Sequence, residues 1–171
     1  MDKSIHFKGT TVLTIEIWCV GGLKDKYWKE ACAEYSKRLS AWVQIKIHEL
    51  KERPLPARAS ETEIKASLEK EGICILDALP KNTYRTALCV EGRQISSEQL
   101  AKELRQHLNR GVSRFCYIIG GSHGLSEQVK TEMNDKLSFS KMVMPHMMAR
   151  VFLLEQLYRA FSILHNGHYH K

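Results

Sequence analysis

Four stretches hold residue types and spacings that could do chemistry. The first is Ile118-Ile119-Gly120-Gly121-Ser122-His123-Gly124-Leu125, directly after an apolar run. Glycines leaving a strand permit a tight turn and let a ligand approach the backbone closely. The spacing is not the GxGxxG fingerprint, no acidic ribose partner follows about twenty residues on, and no Gly-Lys-Ser/Thr completes a phosphate loop. A dinucleotide-dependent oxidoreductase is therefore disfavoured, while a purely structural turn stays open. The second stretch runs from Ser138 through Phe139, Ser140, Lys141, Met142, Val143 and Met144 to Pro145 and His146. A proline closing a strand stops backbone pairing, so free carbonyls and amides beside it could receive an adenine edge. A loop whose methionines are core fits the pattern equally.

In the third stretch, from Ala149 to Ala160, Arg150 and Glu155 interrupt a largely apolar helix. Buried charges are costly without partners, so Arg150 and Glu155 are expected to pair or to line an interface, with a solvated helix face as the alternative. The fourth is the ending His165-Asn166-Gly167-His168-Tyr169-His170-Lys171. Its histidines, tyrosine and lysine offer proton acceptors and phosphate contacts. A disordered tail competes with that reading. Metal binding is disfavoured, because no carboxylate or cysteine lies alongside, and no metal is expected.

These stretches need a scaffold, and the pattern supplies one. Residues 14–20 read as a buried strand, 25–39 as a helix, and 43–50 as an alternating strand. Ser60 with Glu63 forms a capping-box signature. Residues 73–79 suit strand or buried helix, and 84–90 are β-like. Ser96 with Gln99 opens a helix that stops near Gly111, and 114–119 is a strand. A short helix over 126–134, a strand-like stretch over 137–144 and a last helix over 147–165 complete the series. On that last helix Val151, Leu154, Leu157, Tyr158 and Phe161 share a face. Alternating elements predict an α/β fold with a mostly parallel sheet flanked by helices. Ligands in such sheets bind beyond the carboxyl ends of strands, which directs attention to the loops after Val90, Ile119 and Met144.

The 171 residues form one domain, expected over 14–171, after an amino-terminal extension over 1–13. The loop over 51–59 carries Arg53, Pro54, Pro56 and Arg58 and is the mobile stretch expected inside it. No apolar run approaches the roughly 20 residues of a membrane span, and the start lacks a signal peptide's apolar core. A cytoplasmic protein without membrane contact is expected. Five scattered cysteines without CxxC spacing read as reduced core thiols. Twenty-six basic against nineteen acidic residues, a net +7, favour a polyanionic partner such as RNA.

Taken in order, the segments IGGSHGLS, LSFSKMVMPH, RVFLLEQLYRAFSI and the ending YHK resemble the RlmH family of the SPOUT superfamily. The resemblance covers about residues 14–171. Its members are small enzymes that methylate N3 of a pseudouridine in large-subunit ribosomal RNA, using S-adenosylmethionine. It implies an α/β fold with a deep trefoil knot near the carboxyl end, a helix over 73–79, and a homodimer made by the last helix through its Val151–Phe161 face. It also implies a cofactor pocket of Leu88, Gly120, Gly121, Ser140, Lys141, Met142, Val143, Met144 and Pro145. Two departures accompany it: Met147 stands where a proline or polar residue is expected, and the first dozen residues have no counterpart.

The chemistry implied needs a base for the N3 proton and a grip on the RNA. His170 is the candidate proton acceptor or relay, and Tyr169 would stack on or orient the base. Arg159, His168 and Lys171 would contact RNA, Arg159 also standing among the catalytic residues, with one subunit's tail able to complete the other's pocket. The partner would be 23S rRNA within the large subunit or the whole ribosome. Rival readings are a knotted methyltransferase for another rRNA or tRNA position, and a non-catalytic ribosome-binding factor.

Overall fold

The structure is a computed structural model that describes residues 12–167 and 169. Ten elements alternate along it: β1 Thr14–Val20, α1 Lys26–Leu39, β2 Gln44–Leu50, α2 Glu61–Ala78, β3 Tyr84–Arg93, α3 Ser97–Asn109, β4 Arg114–Ile119, α4 Glu127–Thr131, β5 Asp135–Leu137 and α5 His146–Leu164. The five strands make one sheet in the order β2-β1-β4-β3-β5. Every pair is parallel, with Thr14 opposite Gln44 and Arg114, Tyr84 opposite Phe115, and Thr86 opposite Asp135.

Both faces of the sheet are covered, which is why β1 and β4 read as near-continuous apolar runs. Ile15, Ile17, Cys19, Phe115, Tyr117 and Ile119 point to one face, where α1, α3 and α5 close over them with Leu39, Leu104, Leu154, Leu157 and Phe161. On the other face Val20, Ala87, Cys116 and Ile118 meet Ile75 and Leu79 at the end of α2 and Val129 of α4. Three helices start where a serine oxygen takes an orphan amide. Ser60 accepts the Glu63 N–H at 3.3 Å while the Glu63 carboxylate accepts the Ser60 N–H at 2.8 Å. Ser96 accepts from the amide of Gln99, and Ser126 from that of Val129. The apolar run over 73–79 is helical as far as Ala78.

Three boundaries differ from the pattern reading. The expected strand over 137–144 ends at Leu137. Beyond it the Ser138 hydroxyl donates to the Ser140 carbonyl at 2.9 Å, and Ser140 Oγ accepts the Met142 N–H at 2.9 Å. Such local bonds compete with a strand ladder. The helix expected over 126–134 stops at Thr131, and Asn134 is drawn to β3, its side chain accepting from the Arg85 N–H at 2.8 Å. β3 itself runs past Val90 to Arg93, with a register shift against β5 between Leu88 and Arg93. At Gly92 a Cβ would sit 2.5 Å from the Leu137 carbonyl carbon, so only glycine lets the two strands approach there.

Residues 138–145 carry the chain a long way. β5 lies at the sheet edge beyond β3, yet His146 reaches the end of β1, its Nε2 3.2 Å from where a Gly21 Cβ would stand. The segment therefore crosses the carboxyl ends of β3 and β4.

Candidate active site

The three loops singled out by the α/β rule converge. Residues 88–91 of β3, the turn after β4 and the crossing segment enclose a cavity of about 380 Å³, closed at one end by His146 and Ala149 of α5. That volume lies within the roughly 300–1,000 Å³ usual for small-molecule sites. The turn depends on glycine. A Cβ on Gly120 would lie 2.2 Å from the Gly124 carbonyl oxygen. Gly124 donates its N–H to the Gly121 carbonyl at 3.1 Å and holds φ +82, where L side chains are disfavoured. Of the expected cofactor residues, Leu88, Gly120, Gly121, Ser140, Met142, Val143 and Met144 line the cavity. Lys141 and Pro145 flank it instead: Lys141 is exposed, and Pro145 takes the N-cap position of α5.

The cavity also gathers polar groups that pattern reading missed. Lys130, buried on α4, donates from Nζ to Glu91 at 2.5 Å and to Glu127 at 2.8 Å. Burial would lower its pKa, but the two carboxylates outweigh it and hold the ammonium charged above the usual lysine range. Glu91 is held below the carboxylate range chiefly by the Lys130 hydrogen bond. Burial and the neighbouring Glu91 raise the Cys89 thiol, which also lines the cavity. Cys19, Cys32 and Cys116 are buried, as expected of core thiols, whereas Cys74 is exposed on α2. His123 and His146 stand inside the two motifs already singled out, so their presence was legible although their role was not.

Arg159 and Tyr169 gather elsewhere, around Glu155. Glu155 Oε1 accepts from Arg159 Nε at 3.0 Å, from Arg159 Nη2 at 2.6 Å and from the Tyr169 hydroxyl at 3.3 Å. The Arg159 guanidinium lies 4.8 Å over the Tyr169 ring, and Tyr158 meets the same ring edge-on at 4.7 Å. Burial, a hydrogen bond with Tyr35 and the Glu155 charge push the Tyr169 hydroxyl up to about 12. So Glu155 pairs, and so does Arg150, which is 1% exposed and bonded to Glu49 and to the Gly21 carbonyl. His168, His170 and Lys171 lie outside the described residues.

The cavity meets the start of α5 at His146 and Ala149, whereas the cluster lies along the second half of the helix, from Glu155 to Arg159. At 1.5 Å rise per residue, Arg159 stands about 15 Å along the axis from Ala149. Among the described residues, neither Arg159 nor Tyr169 lines the cavity of its own protomer. The face expected to form a dimer also needs correction: Leu154, Leu157 and Phe161 are buried in the chain's own core. Exposed apolar residues near the cavity are Val90, Met142, Val143, Met148 and Phe152 instead, with Phe139 packed on Phe152 at 4.7 Å. Among the described residues no three metal-ligating side chains cluster, and no helix is long and apolar enough to cross a membrane.

Comparison with known proteins adds relatives to this geometry. The family model described as "Predicted SPOUT methyltransferase" matches residues 13–170. Proteins named ribosomal RNA large subunit methyltransferase H from Bacillus thuringiensis (strain Al Hakam) and Bacillus cereus (strain B4264) are each 46% identical over 159 residues, covering 93% of this chain and all of theirs. The protein of the same name from Bacillus cytotoxicus is 45% identical over the same span. A solved structure, described as a probable methylase family protein from Haemophilus influenzae Rd KW20, superposes with a TM-score of 0.55 at 14% identity, covering 92% of this chain and 70% of that one. That last likeness concerns the fold alone.

Proposed function

The chain belongs to the SPOUT methyltransferase family, in the RlmH group, and on that premise we propose that it transfers a methyl group from S-adenosylmethionine to N3 of a pseudouridine in 23S ribosomal RNA. The substrate would be met in the cytoplasm, within the large subunit or the assembled ribosome. One observation carries the reading: the family's cofactor motifs, far apart in sequence, line a single cavity of about 380 Å³ at the carboxyl ends of parallel strands.

The lining fits the donor. Leu88, Phe139 and Leu137 offer apolar surface for an adenine, while Glu91, Ser140 and the backbone of the Gly120–Gly121 turn offer partners for hydroxyls and amines. When bound, S-adenosylmethionine supplies a methyl carbon already made electrophilic by its sulfonium. The protein's task is then position, because aligning two reactants can lower the barrier by roughly 7–11 kcal/mol.

Transfer to N3 would break the sulfur–methyl bond and release neutral S-adenosylhomocysteine, and the N3 proton must leave as the nitrogen–carbon bond forms. His170 takes it, imidazole being the side chain suited to accept a proton near neutral pH. Tyr169 suits stacking and orientation rather than proton abstraction, since its hydroxyl, pushed up to about 12, stays protonated at neutral pH. Glu155 fixes Arg159 against that ring, and Arg159, with His168 and Lys171, holds RNA phosphate.

The separation of about 15 Å along α5 between Ala149 at the cavity and Arg159 argues for completion by a second copy. Met142, Val143, Met148 and Phe152 give a homodimer apolar surface at the cavity mouth, so that one tail reaches the partner's pocket. The crossing of residues 138–145 over β3 and β4 is the path by which the family's trefoil knot would be tied.

Calorimetric titration with S-adenosylmethionine, followed by methylation of ribosomes isolated without this modification, tests the reading. Saturable donor binding with one new methyl on a 23S pseudouridine is expected. Donor binding without methylation of any ribosomal RNA would move the substrate elsewhere, and no binding at millimolar donor would favour a non-catalytic ribosome-binding relative. His170→Ala should cut turnover while sparing donor affinity.

A further inference from the structure

Beside the donor cavity lies a second one of about 460 Å³, walled by Glu52, Arg53, Pro54, Pro56, Ser122 and His123 among others. Ser122 and His123 line both cavities, so the turn after β4 is the partition between them. The outer wall is built rather than loose. Glu52 Oε1 accepts the Ser122 N–H at 3.1 Å and its hydroxyl at 2.8 Å. The next residue, Arg53, donates its backbone N–H to the Glu71 carboxylate of α2 at 2.7 Å. Two neighbours in sequence thus tie the 51–59 loop to the turn on one side and to a helix on the other. Pro54 and Pro56 fix φ between these ties and the turn at Ala59, whose N–H reaches the Pro56 carbonyl at 3.1 Å.

The chemistry of the wall is mixed in a particular way. Among the described residues Arg53 bonds only through its backbone, leaving an exposed guanidinium for a ligand. Glu52 is ionised at neutral pH, because the Ser122 N–H leads the contacts that hold its carboxyl below the usual range. His123 adds an exposed ring, and the prolines add apolar faces. A free phosphate would be repelled by Glu52 and would leave the apolar faces unused. A nucleotide matches every part: phosphate for the guanidinium, a base amino or ribose 2′-hydroxyl for the carboxylate, and a base face for the imidazole.

We propose that this second cavity receives the RNA nucleotide adjacent to the acceptor in the same strand, with Arg53 on its phosphate. The inference rests on the reading of the chain as an rRNA methyltransferase. It assigns the 51–59 loop a substrate role separate from the donor cavity, and it makes the Ser122–His123 turn the divider between acceptor and neighbour. The division also explains why Glu52 is anchored to that turn, 70 residues away in sequence.

The test is binding of Arg53→Ala to large ribosomal subunits isolated without the modification, read across a range of salt. Affinity should fall about tenfold, as for one lost charge-assisted contact. The slope of log affinity against log salt should shrink by about 0.7, one phosphate on a single strand. Donor affinity by titration should stay at the wild-type value, since Arg53 does not line the donor cavity, and Arg53→Lys should recover most of the loss. Unchanged subunit affinity and slope would overturn the groove assignment alone. A wild-type protein that binds donor but no ribosomal subunit would overturn the rRNA reading and this inference together. Loss of donor affinity in Arg53→Ala would trace the effect to the fold and overturn the assignment.

Discussion

Arg150 and Glu49, 101 residues apart in sequence, meet at 2.5 Å between Nη1 and Oε1. Their surroundings are unequal: the Arg150 side chain is 1% exposed and that of Glu49 48%. The pair joins α5 to the end of β2, and Arg150 Nη2 also donates to the buried Gly21 carbonyl at 2.9 Å. Removing each partner should therefore cost differently. Glu49→Ala leaves a buried guanidinium without a countercharge, a loss of about 3 kcal/mol or more. Arg150→Met keeps the apolar volume and returns Glu49 to water, leaving chiefly the Gly21 carbonyl unpaired at roughly 1–2 kcal/mol. Urea unfolding of both variants measures the two values, and equal losses would contradict the asymmetry.

Acid should weaken the fold through a defined set of carboxylates. The Glu103 carboxyl is lowered first by its hydrogen bond with Arg93, and the Glu52 carboxyl first by the Ser122 N–H. At Glu49 burial would raise the carboxyl, but the Arg150 and Leu23 hydrogen bonds outweigh it and the net direction is down. A folded-state value below the unfolded one means that unfolding takes up protons as pH falls. The stabilisation is complete above the ordinary value of 4.5 and is lost progressively below it. Melting temperature followed from pH 7 to pH 3 should hold level and then drop, and Glu103→Gln should make the drop shallower. A decline centred near pH 6 would point to histidines instead.

Local signals in the sequence were enough for most elements and for part of the site. Ser60 and Glu63 cap α2 because both partners of the box lie within four residues, and the glycine turn at 120–124 is equally local. The strand expected past Leu137 failed because Ser138 and Ser140 turn their hydroxyls onto the backbone, a choice hydropathy does not encode. Glu91 and Lys130 were missed for another reason. Their 2.5 Å contact exists only once β3 and α4 meet beside the cavity, and each alone looks like an ordinary surface charge. The same holds for the burial of Leu154, Leu157 and Phe161. Helical spacing shows that they share a stripe, but the partner of that stripe, here α1 and α3 of the same chain, is a tertiary fact.

Gly120→Ala should separate donor binding from folding. An added Cβ would stand 2.2 Å from the Gly124 carbonyl oxygen, inside any permitted contact, and that oxygen belongs to the backbone of the turn, so no side chain can swing aside. The turn must open, at a stability cost of roughly 1–3 kcal/mol. Because this turn walls the cavity proposed for the donor, affinity for S-adenosylmethionine should fall at least about tenfold even where the variant remains folded. Gly111→Ala is the control. Gly111 holds a positive φ, +84, but lies at the opposite end of the sheet with nothing within 4 Å, so Ala there should lose stability while keeping donor affinity. Equal donor affinities in the two variants would remove the glycine turn from the site.

The separation of cavity and tail along α5 makes a complementation experiment decisive. Arg159→Ala damages the tail cluster, where the guanidinium holds Glu155 and covers the Tyr169 ring, and leaves the cavity of that subunit intact. Gly120→Ala does the reverse. In a two-fold dimer whose sites are built from both chains, each homodimer of a single variant has two defective sites. A mixed dimer joins both defects in one site and leaves the other whole. Random exchange of equal amounts makes about half the dimers mixed, so activity should recover to about one quarter of wild type from two nearly inactive parents. If each chain instead folded its own tail into its own cavity, every site in the mixture would carry one defect, and mixing would recover nothing.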